Sequence, residues 1–366
     1  MHRFPLLIIF LFGSLPSFCQ LTIRQDTLLR NTDLRGFRVL EYNENDTWIF
    51  GFTGQTNSSV LRINNNGKIL DSLTSDSIFM YPEVIPFSGL FTASSTANGE
   101  THLIDHGGHL LTVRHGVSGI QKHFSLDLPD KELIGSYADF NRLGDYFVVP
   151  SYYQAPNPIS QFDVVRFKNS QRGLALYNSD GSFLKKLSDY PNELKEKPFF
   201  HPPFITQAAP HKDDLYVYML PDTIISVFTL DGQLKETISM PHLNTINQSI
   251  QPIPERLQKA PTSMDMDSVR AYGKAVRTYR NDFISNLHIP RHGCIQYFYH
   301  QFDKEEQNYR VYHHYYEIEP QKLKKTDLGK HRRASIYFSH PDKEGAFTWL
   351  ERTRAGHIIR NTAKVE

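Results

Sequence analysis

Cysteine is almost absent from this chain of 366 residues, which holds only Cys19 and Cys294. If Cys19 leaves with an N-terminal leader, no intramolecular disulfide can form, and the fold must rest on its hydrophobic core. A long apolar run is lacking as well: residues 4–12 are too few to span a bilayer, and no other stretch is apolar enough to cross one. Charge of one sign is also missing, with 40 Lys and Arg against 39 Asp and Glu. That balance argues against a sequence-independent grip on nucleic acid or on an anionic membrane, since both need a basic excess. There is no His-Glu-x-x-His, no glycine-rich loop opening a helix and no Gly-x-Ser-x-Gly elbow. The common hydrolase and nucleotide-enzyme designs are therefore not written in one local stretch, and any catalytic site would be assembled from distant loops.

What the chain does have is aromatic side chains, Tyr and Phe together outnumbering Lys and Arg. Such a composition suits half-buried sheet faces, and a β-rich chain of this length can close as one domain. At the N-terminus, His2 and Arg3 precede the apolar run, which Gly13, Ser14 and Pro16 break before Ser17-Phe18-Cys19. This pattern reads as a secretory signal over residues 1–19, cut before Gln20, and places the protein in the periplasm or outside the cell. Lipid anchoring at Cys19 is the alternative, weakened by Phe18 where a small residue is expected.

A strand, turn and strand unit recurs at Gly67, Gly108, Gly181 and Gly232. An apolar residue stands four before each glycine (Ile63, Ile104, Tyr177, Phe228) and another two after it (Ile69, Leu110, Phe183, Leu234). Asn66, Asp180 and Asp231 precede three of these glycines, as tight hairpins favour. Repeated hairpins of this kind predict an all-β fold, a β-propeller occupying residues 20–366. Strand groups at 47–52 with the first hairpin, 84–113, 145–153 with the Gly181 hairpin, 214–219 with the Gly232 hairpin, and 294–327 give five blades. The tail supplies three strands, at 335–339, 346–350 and 356–360, and residues 21–29 can add the fourth. The two chain ends would then close the ring within one blade, giving six, with seven the alternative count.

Two segments break this rhythm. The loop over residues 154–171 is too long for a hairpin. The stretch 251–286 carries Val269, Tyr272, Val276, Tyr279 and Phe283 at helical spacing, which predicts one inserted helix over residues 265–283. Asp265 and Asp267 fall at its N-terminus, where acidic side chains favour the dipole. Arg270, Lys274, Arg277 and Arg280 fall on the opposite face, either as a solvated surface or as charges offered to an anionic ligand over one mouth of the ring.

The leader, the hairpins at Gly67, Gly181 and Gly232, and the helical insert before the aromatic strands of residues 294–316 resemble the six-bladed propeller proteins exported by Gram-negative bacteria. The resemblance covers the whole mature chain and implies a binding-type protein with no agreed catalytic motif to carry over. That family often carries a lipid anchor, from which the Phe18-Cys19 junction departs.

Chemistry must be sought residue by residue. The string from Ser339 to Trp349 is similar to the Asp box of sialidase-like propellers but carries extra residues around Asp342 and Gly345. Even a perfect Asp box is a turn-stabilising device, and Arg142, Tyr146 and Asp163 only sketch a sialidase site. His102, His106 and His109 on one hairpin are weak metal candidates, as are His300, His313 and His314 on another group, with ordinary strand histidines the default. Cys294 reads as a small buried strand residue. No catalytic residue, metal site or cofactor is assigned. The leading expectation is a monomeric binding module for a carbohydrate, peptide or envelope protein. Its rim would be drawn from Tyr152, Tyr153, His201, Arg270, Lys274 and Arg277. The rivals are a glycan-active hydrolase or lyase and a structural scaffold in an envelope complex.

Overall fold

The computed structural model describes residues 21–30, 34–42, 46–53, 57–74, 91–95, 100–105, 107–114, 120–129, 132–134, 140–153, 172–188, 206–257, 265–331, 337–339, 341, 345–353 and 355–365. The leader, the loop over residues 154–171 and His201 lie outside them.

The described strands form six antiparallel sheets arranged as the blades of a β-propeller. Chain order begins with β1 (Leu21–Leu29), which belongs to the last blade. Blade 1 follows as β2 (Leu34–Tyr42), β3 (Asp46–Thr53), β4 (Asn57–Asn64) and β5 (Ile69–Thr74). Blade 2 is β6 (Phe91–Ser95), β7 (Glu100–Asp105), β8 (His109–Arg114) and β9 (Ile120–Ser125). Blade 3 opens with two short inner strands, β10 (Glu132–Ile134) and β11 (Asn141–Leu143), before β12 (Tyr146–Tyr153), β13 (Arg172–Asn178) and β14 (Phe183–Ser188). Blade 4 is β15 (Thr206–His211), β16 (Asp214–Met219), β17 (Ile224–Thr229) and β18 (Leu234–Ser239). An insert follows, with α1 (Asn244–Ser249) and α2 (Met266–Arg277), and leads into blade 5: β19 (Phe283–Arg291), β20 (Cys294–Asp303), β21 (Asn308–Glu317) and β22 (Lys322–His331). Blade 6 is β23 (Tyr337–Phe338), β24 (Ala346–Arg352) and β25 (Ile358–Val365), completed by β1. Residues 21–29 therefore supply the missing strand, β1 pairing antiparallel with β25 from Leu21 opposite Val365 to Leu29 opposite Ile358.

Strand alternation sends neighbouring side chains into different seams, because both faces of each blade pack on another blade. In β16, Leu215 and Val217 join the cluster shared with blade 3, whereas Tyr216 and Tyr218 join the one shared with blades 5 and 6. In β3, Trp48 and Phe50 face blade 2 while Ile49 faces blade 6 and β1. A fifth cluster, with Ile104, Phe147 and Tyr177, joins blades 2 and 3. Every seam is thus apolar. The second strands β7 and β16 read as continuous buried runs, whereas the outermost β5 and β18 are exposed over most of their length.

The recurring glycines have a second reason beyond the turn. Gly181 has φ +92, and a Cβ built there would lie 2.5 Å from the Ser125 carbonyl oxygen on the outer strand of blade 2. Gly67 likewise meets the Leu28 carbonyl on β1, and Gly232 meets Lys185 and Leu187 on β14. These three hairpin bends seat against the outer strand of the blade before, where a side chain has no room, whereas a Cβ at Gly108 would meet Leu128, which follows the outer strand of its own blade.

Helix α2 is shorter than the spacing predicts. Asp265 caps it, accepting hydrogen bonds from the Asp267 amide at 3.1 Å and the Ser268 amide at 2.8 Å. The helix stops at Arg277, and Phe283, which continues the helical spacing, is instead the buried first residue of β19. The apolar spacing runs on because the strand entering blade 5 needs a core residue at its first position.

Candidate functional site

In a four-stranded meander the connection into the inner strand and the turn after the second strand lie at the same end of the ring. The insert, the carboxy end of β16 and the β20–β21 turn accordingly share one mouth. Tyr152 and Tyr153, at the carboxy end of the second strand of blade 3, are also at this end, opposite Leu133 and Glu132 in the register. Arg270, Lys274 and Arg277 are exposed along one stripe of α2. Arg270 lies 3.6 Å from the exposed Asp267 carboxylate. The other face of α2 docks through Tyr272 and Val276, joined by Tyr279 just beyond the helix end, onto Ile253 and Leu257, and the Tyr272 hydroxyl donates to the Leu257 carbonyl at 3.0 Å. The Arg280 guanidinium lies 5.9 Å from the Tyr309 ring centre, tying the end of the insert to blade 5.

Beneath the insert lies a polar network that the sequence reading missed. Register places Tyr297 opposite His314 and Tyr299 opposite Tyr312, on the face of blade 5 turned toward blade 4. The Tyr297 hydroxyl is hydrogen-bonded to His242 Nε2 at 2.5 Å and to His314 Nδ1 at 3.0 Å. The Tyr299 hydroxyl donates to Asp282 Oδ2 at 2.5 Å, and the Phe302 amide donates to Asp282 Oδ1 at 2.8 Å. The Asp282 amide in turn donates to Ser249 Oγ at 3.0 Å, and Tyr299 reaches Thr245 Oγ1 at 3.2 Å. Both ends of the insert are pinned by these bonds. The aromatic density of residues 294–316 signalled the packing, but only the register and the fold of residues 241–249 set the partners.

Burial governs the electrostatics of this network. Desolvation, with a smaller push from Lys325, holds His242 down to about 4. Desolvation followed by Lys325, His242 and His313 holds His314 down to about 3. Desolvation raises Asp282 against the hydrogen bonds from Tyr299 and Phe302, and raises Tyr297 and Tyr299. A phenol acting as base or nucleophile needs the opposite shift. This arrangement holds protons in place and keeps both imidazoles neutral at pH 7.

The other histidines are separated by strand alternation. His102 Nδ1 bonds Thr112 Oγ1 at 2.9 Å, while His109 Nδ1 pairs with Asp105 Oδ2 at 2.9 Å, so the hairpin does not bring them onto one ion. His106 lies outside the described residues. His300 stacks on Phe283 at 4.3 Å and bonds Ser285 Oγ at 2.8 Å, and His313 packs on Phe347, both on the face opposite His314. Among the described residues, no group of three His, Cys, Asp or Glu could hold a metal ion. Cys294 is buried at the start of β20. In the Asp-box-like string, Ser339 Oγ donates to the Thr348 carbonyl at 3.0 Å, a turn-holding contact, while Asp342 lies outside the described residues. No helix among the described residues is long and apolar enough to cross a membrane.

Neither a family model nor a curated protein sequence matches this chain. Among solved structures it is similar to a member of the DUF4221 family from Bacteroides vulgatus, with 9% identity and TM-score 0.49 over 94% of this chain and 98% of that one. A Bacteroides fragilis protein, provisionally assigned as exported, gives 10% identity and TM-score 0.47 over 94% and 95%. The WD40 β-propeller domain of Doa1 gives 8% identity and TM-score 0.41 over 95% and 98%.

Proposed function

We propose that the protein is an exported β-propeller that binds an anionic ligand or partner at the mouth carrying the insert, without catalysis. The observation behind this reading is the exposed stripe of Arg270, Lys274 and Arg277 on a helix whose other face is fixed by packing. Cations held on a rigid element gather carboxylates or sulfates without first being ordered. Tyr152, Tyr153 and His201 are the remaining candidates for the rim.

The test is the thermal midpoint of the chain from Gln20 onward, scanned against acidic glycans, acidic peptides and their neutral counterparts. A ligand at a hundred times its dissociation constant should add about 2.7 kcal/mol. The shift should occur with acidic members, shrink with salt, and vanish in R270E/K274E/R277E. A shift that survives this charge reversal would refute the assignment to α2. Export rests on residues 1–19: protein recovered outside the cytoplasm should begin at Gln20, a lipid-linked Cys19 would replace free release by anchoring, and an uncut chain retained in the cytoplasm would overturn export.

A further inference from the structure

At the opposite end of the ring, blades 4 and 5 part to leave a cleft of about 630 Å³. This is the size range of small-molecule sites. Ile318, half-buried, lines it together with Tyr216 and Ile238, whose side chains are almost wholly buried in the core, and Glu236, Glu317 and Glu319 bring three carboxylates to its lining. The lining also contains Arg291, whose Nε donates to Cys294 Sγ at 3.1 Å and whose Nη2 donates to the Tyr315 hydroxyl at 3.3 Å. Its guanidinium is therefore turned largely to its own hairpin. Lys324 approaches Glu317 at 3.5 Å, whereas Glu236 and Glu319 have no ion-pair partner among the described residues. The site thus combines an apolar lining with two carboxylates that have no ion-pair partner among the described residues, beside Arg291 and His292.

We infer that this cleft binds an organic cation, a primary ammonium on a short alkyl stem. The stem would lie on the half-buried Ile318, and Glu236 and Glu319 would pair with the ammonium. Such a group occurs in a free diamine and in a lysine side chain of a peptide. The site is independent of the α2 stripe, and it selects the opposite charge.

Two probes separate the sources: 1,5-diaminopentane, and a short peptide with one central lysine, each titrated calorimetrically into the mature chain at low salt, with glutarate as the anionic control. Binding of the diamine alone assigns an enclosed small-molecule site, and binding of the peptide assigns a docking site for a lysine side chain. In either case, E236Q and E319Q should each weaken affinity about tenfold, the loss expected for a charge-assisted hydrogen bond. E305Q, a charge-matched change in the exposed β20–β21 turn at the other end, should leave affinity unchanged. Far-UV circular dichroism of the variants confirms the fold. No heat with either amine, affinity unaffected by E236Q/E319Q, or binding of glutarate in place of the amines would each overturn the inference.

Discussion

Replacing Gly181 by alanine separates two demands that the hairpin bend places on one residue. Gly181 and Gly293 both hold left-handed backbone, at φ +92 and +79. An L side chain in that region costs about 1–2 kcal/mol, offset by about 0.4–1 kcal/mol of lost unfolded-state freedom. For Gly293→Ala nothing lies within 4 Å of the new Cβ, so the net effect should be about 1 kcal/mol or less. For Gly181→Ala the Cβ falls 2.5 Å from the Ser125 carbonyl and 2.7 Å from the Phe124 ring, so blade 2 and blade 3 must move apart locally. Overpacking of that kind costs about 1–3 kcal/mol. The Gly181 carbonyl also accepts from the Asp127 amide at 2.8 Å, and straining that bond puts about 1 kcal/mol more at risk. Gly181→Ala should therefore lose about 2–4 kcal/mol more than Gly293→Ala. Urea denaturation followed by tyrosine and tryptophan fluorescence gives both midpoints. Equal losses within about 0.5 kcal/mol would refute the claim that the glycine spaces one blade from the next.

Two other outcomes follow from the seams and the closure. Burial holds His102 and His313 to about 4 and His300 and His314 to about 3. Between those values and the unfolded value near 6.5, the unfolded chain binds more protons. Stability should then be fully present above pH 6.5 and fall by a few kcal/mol as pH drops toward 4; Asp282, whose pKa is raised, works in the opposite sense. A urea midpoint that stays flat or rises between pH 7 and pH 5 would contradict this. Removing residues 20–29 exposes the β25 edge and strips Leu28 and Leu29, both buried, from the seam with blade 1. The expected cost is about 3–6 kcal/mol, with self-association through the open edge, and a peptide of residues 20–30 added in trans should reverse both. A monomer with an unchanged thermal midpoint would show that β1 does not close the ring.

Much of the architecture is local and so can be read along the chain. Asn or Asp before Gly fixes a bend, and alternation assigns Leu215 and Tyr216 to different faces before any neighbour is known. The Asp265 cap is equally local, since donor and acceptor lie within three residues. The end of α2 was misjudged because Phe283 satisfies helix spacing and a strand's first core position alike.

The sequence by itself determined the glycine hairpins, the closing role of residues 21–29 and the position of the insert, because each depends on backbone preference and side-chain period over a few residues, whereas the inner strands β2, β15 and β19 emerged only with the fold. Tertiary structure alone decided that Tyr297 meets His242 from 55 residues away and that Asp282 receives Tyr299. It alone placed Glu236 and Glu319 around one cleft. Those meetings depend on how two blades pack across a seam, a relation set by the closed ring and carried by no contiguous stretch of the chain.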